Sequence, residues 1–255
     1  MEKLGEATHG VQSLDRAFRL LELMADAGGE VALSSLARTS GLPVSSIHRL
    51  VRSLAARGYV RQMPSRRYAL GPRLIHLGEV ASRALGALAR PHLARLVDAV
   101  GETANLALLD GDRVVYAAQV PSRHSMRMFT EVGRRVPVHC TGVGKALLAG
   151  LAEDDVRQLL ARVGMPAQTP HTLTDAEALV TQLAQIRAAG YAVDDGEQEA
   201  GVRCVAVPVP GGAPFAAISV SGPGGRLTAD AVPRVVPLLR VAAAALAEDL
   251  ALSGR

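Results

Sequence analysis

The residues of this 255-residue chain that could do chemistry fall into two groups. The first is a basic set near the N-terminus: Arg38, Ser45, Ser46, His48, Arg49, Arg52, Arg66 and Arg67. Guanidinium groups pair bidentately with guanine edges, and Arg, Ser and His side chains reach phosphate oxygens. The second runs from His139 to Ser221 and holds Cys140, Thr141-Gly142-Val143-Gly144-Lys145, His171, Asp194, Cys204 and Ser219. Catalysis by this group fits poorly. A phosphate-binding loop needs Gly five residues before the Gly-Lys step and Ser or Thr after it, where this chain has His139 and Ala146. His139 with Cys140 or Cys204 supplies a thiol and a base, but no activating motif surrounds either cysteine, and a small buried thiol is the commoner state. His139, Cys140, His171 and Cys204 lack the spacing of metal ligands, so neither a metal nor a cofactor is expected. Binding fits better. A helix opening at Thr141–Gly144 offers backbone N–H groups and a positive dipole end to a carboxylate or other small anion. Ser219 and Ser221 alternate on one strand face, which points either into a pocket or to solvent. The polar run from Asp194 to Glu199 just before an apolar strand is either part of that pocket or a solvated loop.

Charge placement gives the first group its meaning. Residues 1–75 carry 11 Lys and Arg against 6 Asp and Glu, whereas residues 76–255 carry 17 against 18. Between Val31 and Gly78 there is no acidic residue and there are eight arginines. A soluble surface normally mixes signs, so this stretch asks for an anionic partner. Composition excludes several classes. With 49% hydrophobic residues the chain is not disordered or fibrous. No apolar run is long enough to span a bilayer. Two cysteines cannot build a disulfide framework. Three Phe, four Tyr and no Trp disfavour a binder that stacks single-stranded bases on aromatic platforms. Residues 1–6 are polar and acidic, without the apolar segment of a secretory signal, so a cytoplasmic location is expected.

The elements that must position the basic set read as follows. Leu14, Ala17, Phe18, Leu21 and Met24 predict a helix over 13–25 with Ser13 as N-cap and a buried stripe at three-and-four spacing. A short helix from Ser34 or Ser35 to Thr39 ends at Ser40-Gly41, and a third helix begins near Pro43–Ser46 and runs to Ala56. Ile47, Leu50, Val51 and Leu54 form its buried side, and either Ser45 or Ser46 could instead cap it. Two strands, 59–62 and 67–70, flank a turn at Met63–Arg66. Helix-turn-helix followed by a basic hairpin is a winged helix, which lays its second helix in the major groove and its wing along the backbone or minor groove. An amphipathic membrane helix fits less well, because the arginines are spread over helices, turn and hairpin.

An Ala/Leu-rich pattern from Pro72 predicts a linker helix to Leu88, a break at Pro91, and a second helix over 90–100. Beyond it, strands are expected over 103–109, 113–120, 125–132, 202–209 and 215–221, the first two joined by the hairpin step Asp110-Gly111-Asp112. Helices are expected over 141–151, 154–162, 175–188 with Thr174 as cap, and 228–250. Strands, then helices, then strands and a last helix make an α+β domain with a mixed or antiparallel sheet.

Taken together, the ordered motifs resemble the IclR family of bacterial transcription regulators over nearly the whole chain. In the N-terminal part they are Ser13-Leu14-Asp15-Arg16-Ala17, Ser40-Gly41-Leu42-Pro43, Ser45-Ser46-Ile47-His48-Arg49-Leu50, Gly58-Tyr59-Val60 and Tyr68-Ala69-Leu70-Gly71. In the C-terminal part they are the run His139 to Ala149, Gly190-Tyr191, Asp194-Asp195-Gly196-Glu197, Gly201 to Ala206 and Ala217 to Pro223. The resemblance implies a winged helix-turn-helix over 1–71, a linker helix over 72–89 and a GAF-like effector-binding domain over 90–255. It implies a non-enzymatic homodimer or tetramer that binds double-stranded operator DNA near a catabolic operon, most often as a repressor, and responds to a small carboxylate. Carried over by position, the effector contacts would be Gly142, Val143, Asp194, Cys204, Ser219 and Ser221, with Met126, Met128 and Val136 as apolar walls. Val143 stands where many members have Ala, so a narrower pocket is expected. Two rival readings are an enzyme with an accessory DNA-binding domain and an architectural DNA binder without an effector.

Overall fold

The computed structural model describes residues 11–128, 130–211 and 216–253, the side chains of 81–85 excepted. The polar N-terminal residues 1–6, Phe129, the turn residues 212–214 and Phe215, on which expectations above rest, lie outside the described residues, as do the side chains of Ala81 and Leu85. The chain divides into two units, Met1–Ala81 and Ser82–Arg255.

In the first unit, α1 (Gln12–Asp26), α2 (Leu33–Ser40) and α3 (Val44–Ala56) precede a hairpin of β1 (Val60–Gln62) and β2 (Tyr68–Leu70). Leu20, Met24, Val31, Leu36, Ile47, Val51 and Val60 form its core. Burying each such side chain is worth about 1.5–3 kcal/mol, so this cluster holds the small unit together. Gly41, in the left-handed conformation (φ 70°), terminates α2 and turns the chain into α3, which makes the helix-turn-helix. The stripe expected on α1 is only partly the buried one. Leu20 and Met24 are buried, but Leu14 and Phe18 are exposed at 53% and 61%. The helix has more apolar residues than one face can hold, and Val11, Leu14 and Phe18 form a second stripe on a different side. Nor does Ser13 cap the helix, whose N-cap is Val11 without a side-chain bond.

A single helix, α4 (Arg73–Val100), replaces the two helices expected around Pro91. Proline removes one backbone hydrogen bond, at a cost of about 3 kcal/mol in an isolated helix. Here Ala89, Leu93, Leu96 and Val97, on both sides of Pro91, are buried in one cluster, and that packing outweighs the lost bond.

The second unit is built on a six-stranded antiparallel sheet of order β5-β4-β3-β8-β7-β6. Its strands are β3 (Thr103–Asp110), β4 (Arg113–Val120), β5 (Arg135–Pro137), β6 (Ala192–Asp195), β7 (Val202–Pro208) and β8 (Ala216–Pro223). Between β5 and β6 come α5 (Gly142–Leu148), α6 (Glu153–Val163) and α7 (Ala176–Ala189), and α8 (Val232–Ser253) follows a 3-10 turn at Ala229–Ala231. Alternation along the strands sends side chains to opposite faces. Ala104, Leu106, Val205, Ile218 and Val220 face a core shared with α4 and α8, while Ala107, Ala206 and Ala217 face one shared with α5, α6 and α7.

Three local expectations change. The cap of α7 is Asp175, whose carboxylate accepts from Ala178 N, rather than Thr174. Strands β5 and β6 are too short to announce themselves by alternation. Among the described residues of 125–132 there is no strand. That segment is held by side chains instead of a ladder: Thr103 Oγ1 donates to Met128 O at 3.0 Å and Arg226 Nη2 to Met126 O at 2.9 Å.

Candidate functional site

The α3 helix separates its two kinds of residue by geometry alone. At about 100° per residue, Ser45, His48, Arg49 and Arg52 share a sector about 100° wide, opposite Leu50, Ile47, Val51 and Leu54. Ile47 and Val51 are buried, and Ser45, His48, Arg49 and Arg52 are exposed. Ser46 is half-buried at the margin. The N-cap is Pro43 without a side-chain bond, so neither serine is spent as a cap. Arg38 is exposed in the last turn of α2. In the hairpin, Met63 N donates to Arg67 O at 2.8 Å and Arg66 N to Met63 O at 2.9 Å, a tight turn that puts Arg66 in the left-handed region (φ 61°). Arg66 and Arg67 are both exposed. Glu30, just ahead of the acid-free stretch, accepts from Ser65 Oγ at 2.5 Å and brings a negative charge to this turn.

In the second unit, strand register assembles a polar site that spacing could only hint at. One row across the sheet, on the face toward α5, is Thr103, Ser221, Cys204 and Asp194, each directly opposite the next. Two residues along, the next row on that face is Gln119, Asn105, Ser219 and Ala206. Below these, Ala107 and Ala217 turn the face apolar. The start of α5 lies directly over the first row. A Cβ on Gly142 would come within 2.9 Å of Cys204 Sγ, and one on Gly144 within 2.2 Å of Val138 O. Only glycine allows so close an approach. Thr141 caps the helix by accepting from Gly144 N at 3.1 Å.

The site is sealed and poor in partners. Asn105 and Ser219 have no exposed surface, and Asp194, Cys204 and Ser221 are buried. Gln119 Nε2 donates to Asn105 Oδ1 at 3.1 Å, which turns Asn105 Nδ2 the other way, where it has no partner among the described residues. Ser219 Oγ has no hydrogen-bonded nitrogen or oxygen among the described residues and lies within reach of the Cys204 thiol alone. A buried polar group left unmatched costs about 1–3 kcal/mol, so poorly matched groups on adjacent strands call for a partner. Lys145, fully buried, pairs with Glu197 Oε1, while Glu197 Oε2 has no partner. Asp194 Oδ1 accepts from Glu197 N at 2.7 Å and Gln198 N at 3.4 Å. Burial nonetheless pushes the Asp194 carboxyl up to about 7, helped by the Glu197 charge and opposed by these N–H groups and Lys145. Burial, then the Asp194 charge, pushes the Cys140 thiol up to about 12 and Cys204 up to about 11. Neither thiol is an activated nucleophile.

The predicted residues are thus distributed unevenly. Gly142, Asp194, Cys204, Ser219 and Ser221 come together. Val143 is fully buried and packs in one cluster with Val136, beside the polar rows rather than on them. Met128 is tied to Thr103 through its carbonyl. Met126 is 73% exposed, and its side chain is not brought to this face. Sequence reading missed Thr103, Asn105 and Gln119, although Thr103 and Asn105 alternate in β3 as Ser219 and Ser221 do in β8.

Two family models match the chain: the IclR helix-turn-helix domain over residues 13–64 and the bacterial transcriptional regulator IclR C-terminal domain over residues 78–248. The transcriptional repressor IclR of Escherichia coli K12 is 42% identical over 233 residues, covering 89% of this chain and 85% of that protein. The acetate operon repressor of Salmonella typhimurium LT2 is 41% identical, covering 88% and 85%. The crystal structure of an IclR homolog from Microbacterium hydrocarbonoxydans, complexed with 4-hydroxybenzoate, superposes with a TM-score of 0.77 at 30% identity, covering 94% of this chain and 99% of that one.

Proposed function

The chain belongs to the IclR family and is a DNA-binding transcriptional regulator, and from that premise we propose that it is a repressor whose second unit senses a small carboxylate. The observation that carries the reading is the sealed pair of polar rows under α5, with Asn105 Nδ2 and Ser219 Oγ poorly matched. A regulator that turned nothing over would need such a site and no activated nucleophile. The named specificities of two relatives, an acetate operon and 4-hydroxybenzoate, support a carboxylate and a catabolic operon.

In this reading residues 1–71 bind DNA, 72–89 link and 90–255 bind the effector. Arg49, Arg52, His48 and Ser45 on α3 meet base edges and phosphates in the major groove, with Ser46 and Arg38 on the flanking backbone. Arg66 and Arg67 on the turn follow the backbone or minor groove. The effector is held by Gly142, Val143, Asp194, Cys204, Ser219 and Ser221, with Val136 and Met128 as walls. Met126 serves as a wall only if its loop moves inward. The protein acts in the cytoplasm as a homodimer or tetramer on a two-fold operator. Because the effector binds one arrangement better than the other, it shifts the population and with it operator affinity.

The test is a thermal-shift screen of the full chain against acetate, glyoxylate, pyruvate and 4-hydroxybenzoate, then a gel shift on its own upstream DNA with and without the ligands that stabilise it. A ligand that raises the melting temperature and weakens DNA binding is the expected result. DNA binding that ignores every carboxylate would leave the architectural reading standing and this one refuted.

A further inference from the structure

The Asn105 side chain sits in the middle of the sheet with no exposed surface. Its amide orientation is set from outside: Gln119, directly opposite on β4, donates to Oδ1 and leaves Nδ2 as the free end. Opposite on β8 is Ser219, whose Oγ has only the weakly hydrogen-bonding Cys204 thiol within reach among the described residues. Residues directly across an antiparallel pair have Cβ atoms about 4.5–5.5 Å apart. The two groups do not bond to each other, yet both lack a nitrogen or oxygen partner on the same face among the described residues. One oxygen seated between them would satisfy both. That oxygen must accept, because an amide N–H can only donate.

We propose that Asn105 is an effector contact that selects for a ligand oxygen acceptor, with Gln119 as the positioning residue that presents its N–H. The inference rests on the carboxylate reading of the same site and adds a specificity element to it. Electrostatics favour placing the carboxylate end here. Asn105, Gln119 and Ser219 are neutral, whereas the Asp194 end of the floor holds two carboxyls, Asp194 and Glu197, against the single ammonium of Lys145. Asn105 Nδ2 is then idle in the empty protein and engaged in the complex. This gives a signature that a structural asparagine lacks: removing the amide gives up the hydrogen bond from the half-buried Gln119 but also removes an unmatched buried donor, so it costs the empty protein little and the complex a further hydrogen bond.

The experiment compares wild type with Asn105→Leu, Asn105→Asp and Gln119→Ala in the full chain. Each is melted alone and with acetate, pyruvate or 4-hydroxybenzoate, and affinity is measured for the acids that shift the wild type. Asn105→Leu is expected to melt near the wild-type temperature alone and to bind at least about tenfold more weakly. Asn105→Asp, which replaces the donor with an acceptor, should lose the ligand shift. Gln119→Ala should show a smaller loss of the same kind. Wild-type binding that Asn105→Leu and Asn105→Asp leave unchanged would mean that a trapped water fills the gap, and would overturn this inference alone. No shift of the wild type by any of the three acids would remove the carboxylate reading and this inference with it. Should Asn105→Leu fail to fold, Asn105→Asp and Gln119→Ala decide.

Discussion

Replacing Asp194 with Asn gives a prediction whose size follows from the structure. The carboxyl is buried at the end of the Thr103–Ser221–Cys204 row, and its Oδ1 accepts from Glu197 N and Gln198 N. Asparagine keeps that oxygen and the shape but carries no charge. Burial raises the group from 3.8 to about 7. Between these values the folded chain holds a proton that the unfolded chain has lost, so stability falls as pH rises. The contribution is complete below the unfolded value, shrinks from about pH 4 upward, and is gone once pH passes about 7. At about 1.36 kcal/mol per pH unit, the loss between pH 5 and pH 8 approaches about 2.5 kcal/mol. Urea unfolding of wild type and Asp194→Asn, monitored by a signal of the second unit at pH 5, 6, 7 and 8, isolates this group, since every other titration is common to both. The expected outcome is a wild-type stability that falls by about 2.5 kcal/mol relative to the variant across the range. Parallel curves would refute the claim that burial outweighs the two N–H groups and Lys145. The same proton reaches the ligand. A carboxylate on the same floor is held more readily while Asp194 is neutral, so effector affinity should weaken as pH rises through about 7, and the variant should abolish that dependence.

Other consequences are simpler. Arg49→Ala or Arg52→Ala should weaken operator binding by about 1–3 kcal/mol for one sequence, and Arg67→Ala should weaken all sequences alike and flatten the salt dependence, both readable by fluorescence anisotropy. Lys145→Ala strands the buried Glu197 carboxylate and should cost about 3–5 kcal/mol in unfolding free energy, read by urea unfolding. Gly142→Ala drives a methyl against Cys204 and should destabilise by about 1–3 kcal/mol while weakening effector binding, as calorimetry would show.

Periodicity found most of the elements because most are long enough to show it. The three helices and hairpin of the first unit, the Asp110-Gly111-Asp112 turn and the late helices all carry a clear period or stop signal. Failures came where local pattern loses to packing. Pro91 reads as a break, yet contacts on either side of it keep α4 whole. Leu14 and Phe18 read as core because sequence cannot say which of two apolar stripes faces inward. Met126 and Met128 alternate as in a strand, but their carbonyls are taken by Arg226 and Thr103. Ser219, Ser221, Cys204 and Asp194 were visible as types. That they stand in rows with Asn105 and Thr103 depends on the β3–β8–β7 register, which joins segments about a hundred residues apart and leaves no local trace.

If the proposed effector is held at Asn105 and Ser219, the closure of the site over them sets how fast the molecule can respond. With no surface of either residue open to water, such a ligand would reach them only after α5 or the 196–201 loop had given way. The frequency of that opening then caps the rate of capture, however abundant the metabolite becomes, and the same barrier holds the ligand in once the walls have shut. Such a receptor filters its input in time. Brief spikes pass before the wall opens, and a sustained rise, once registered, outlasts its cause.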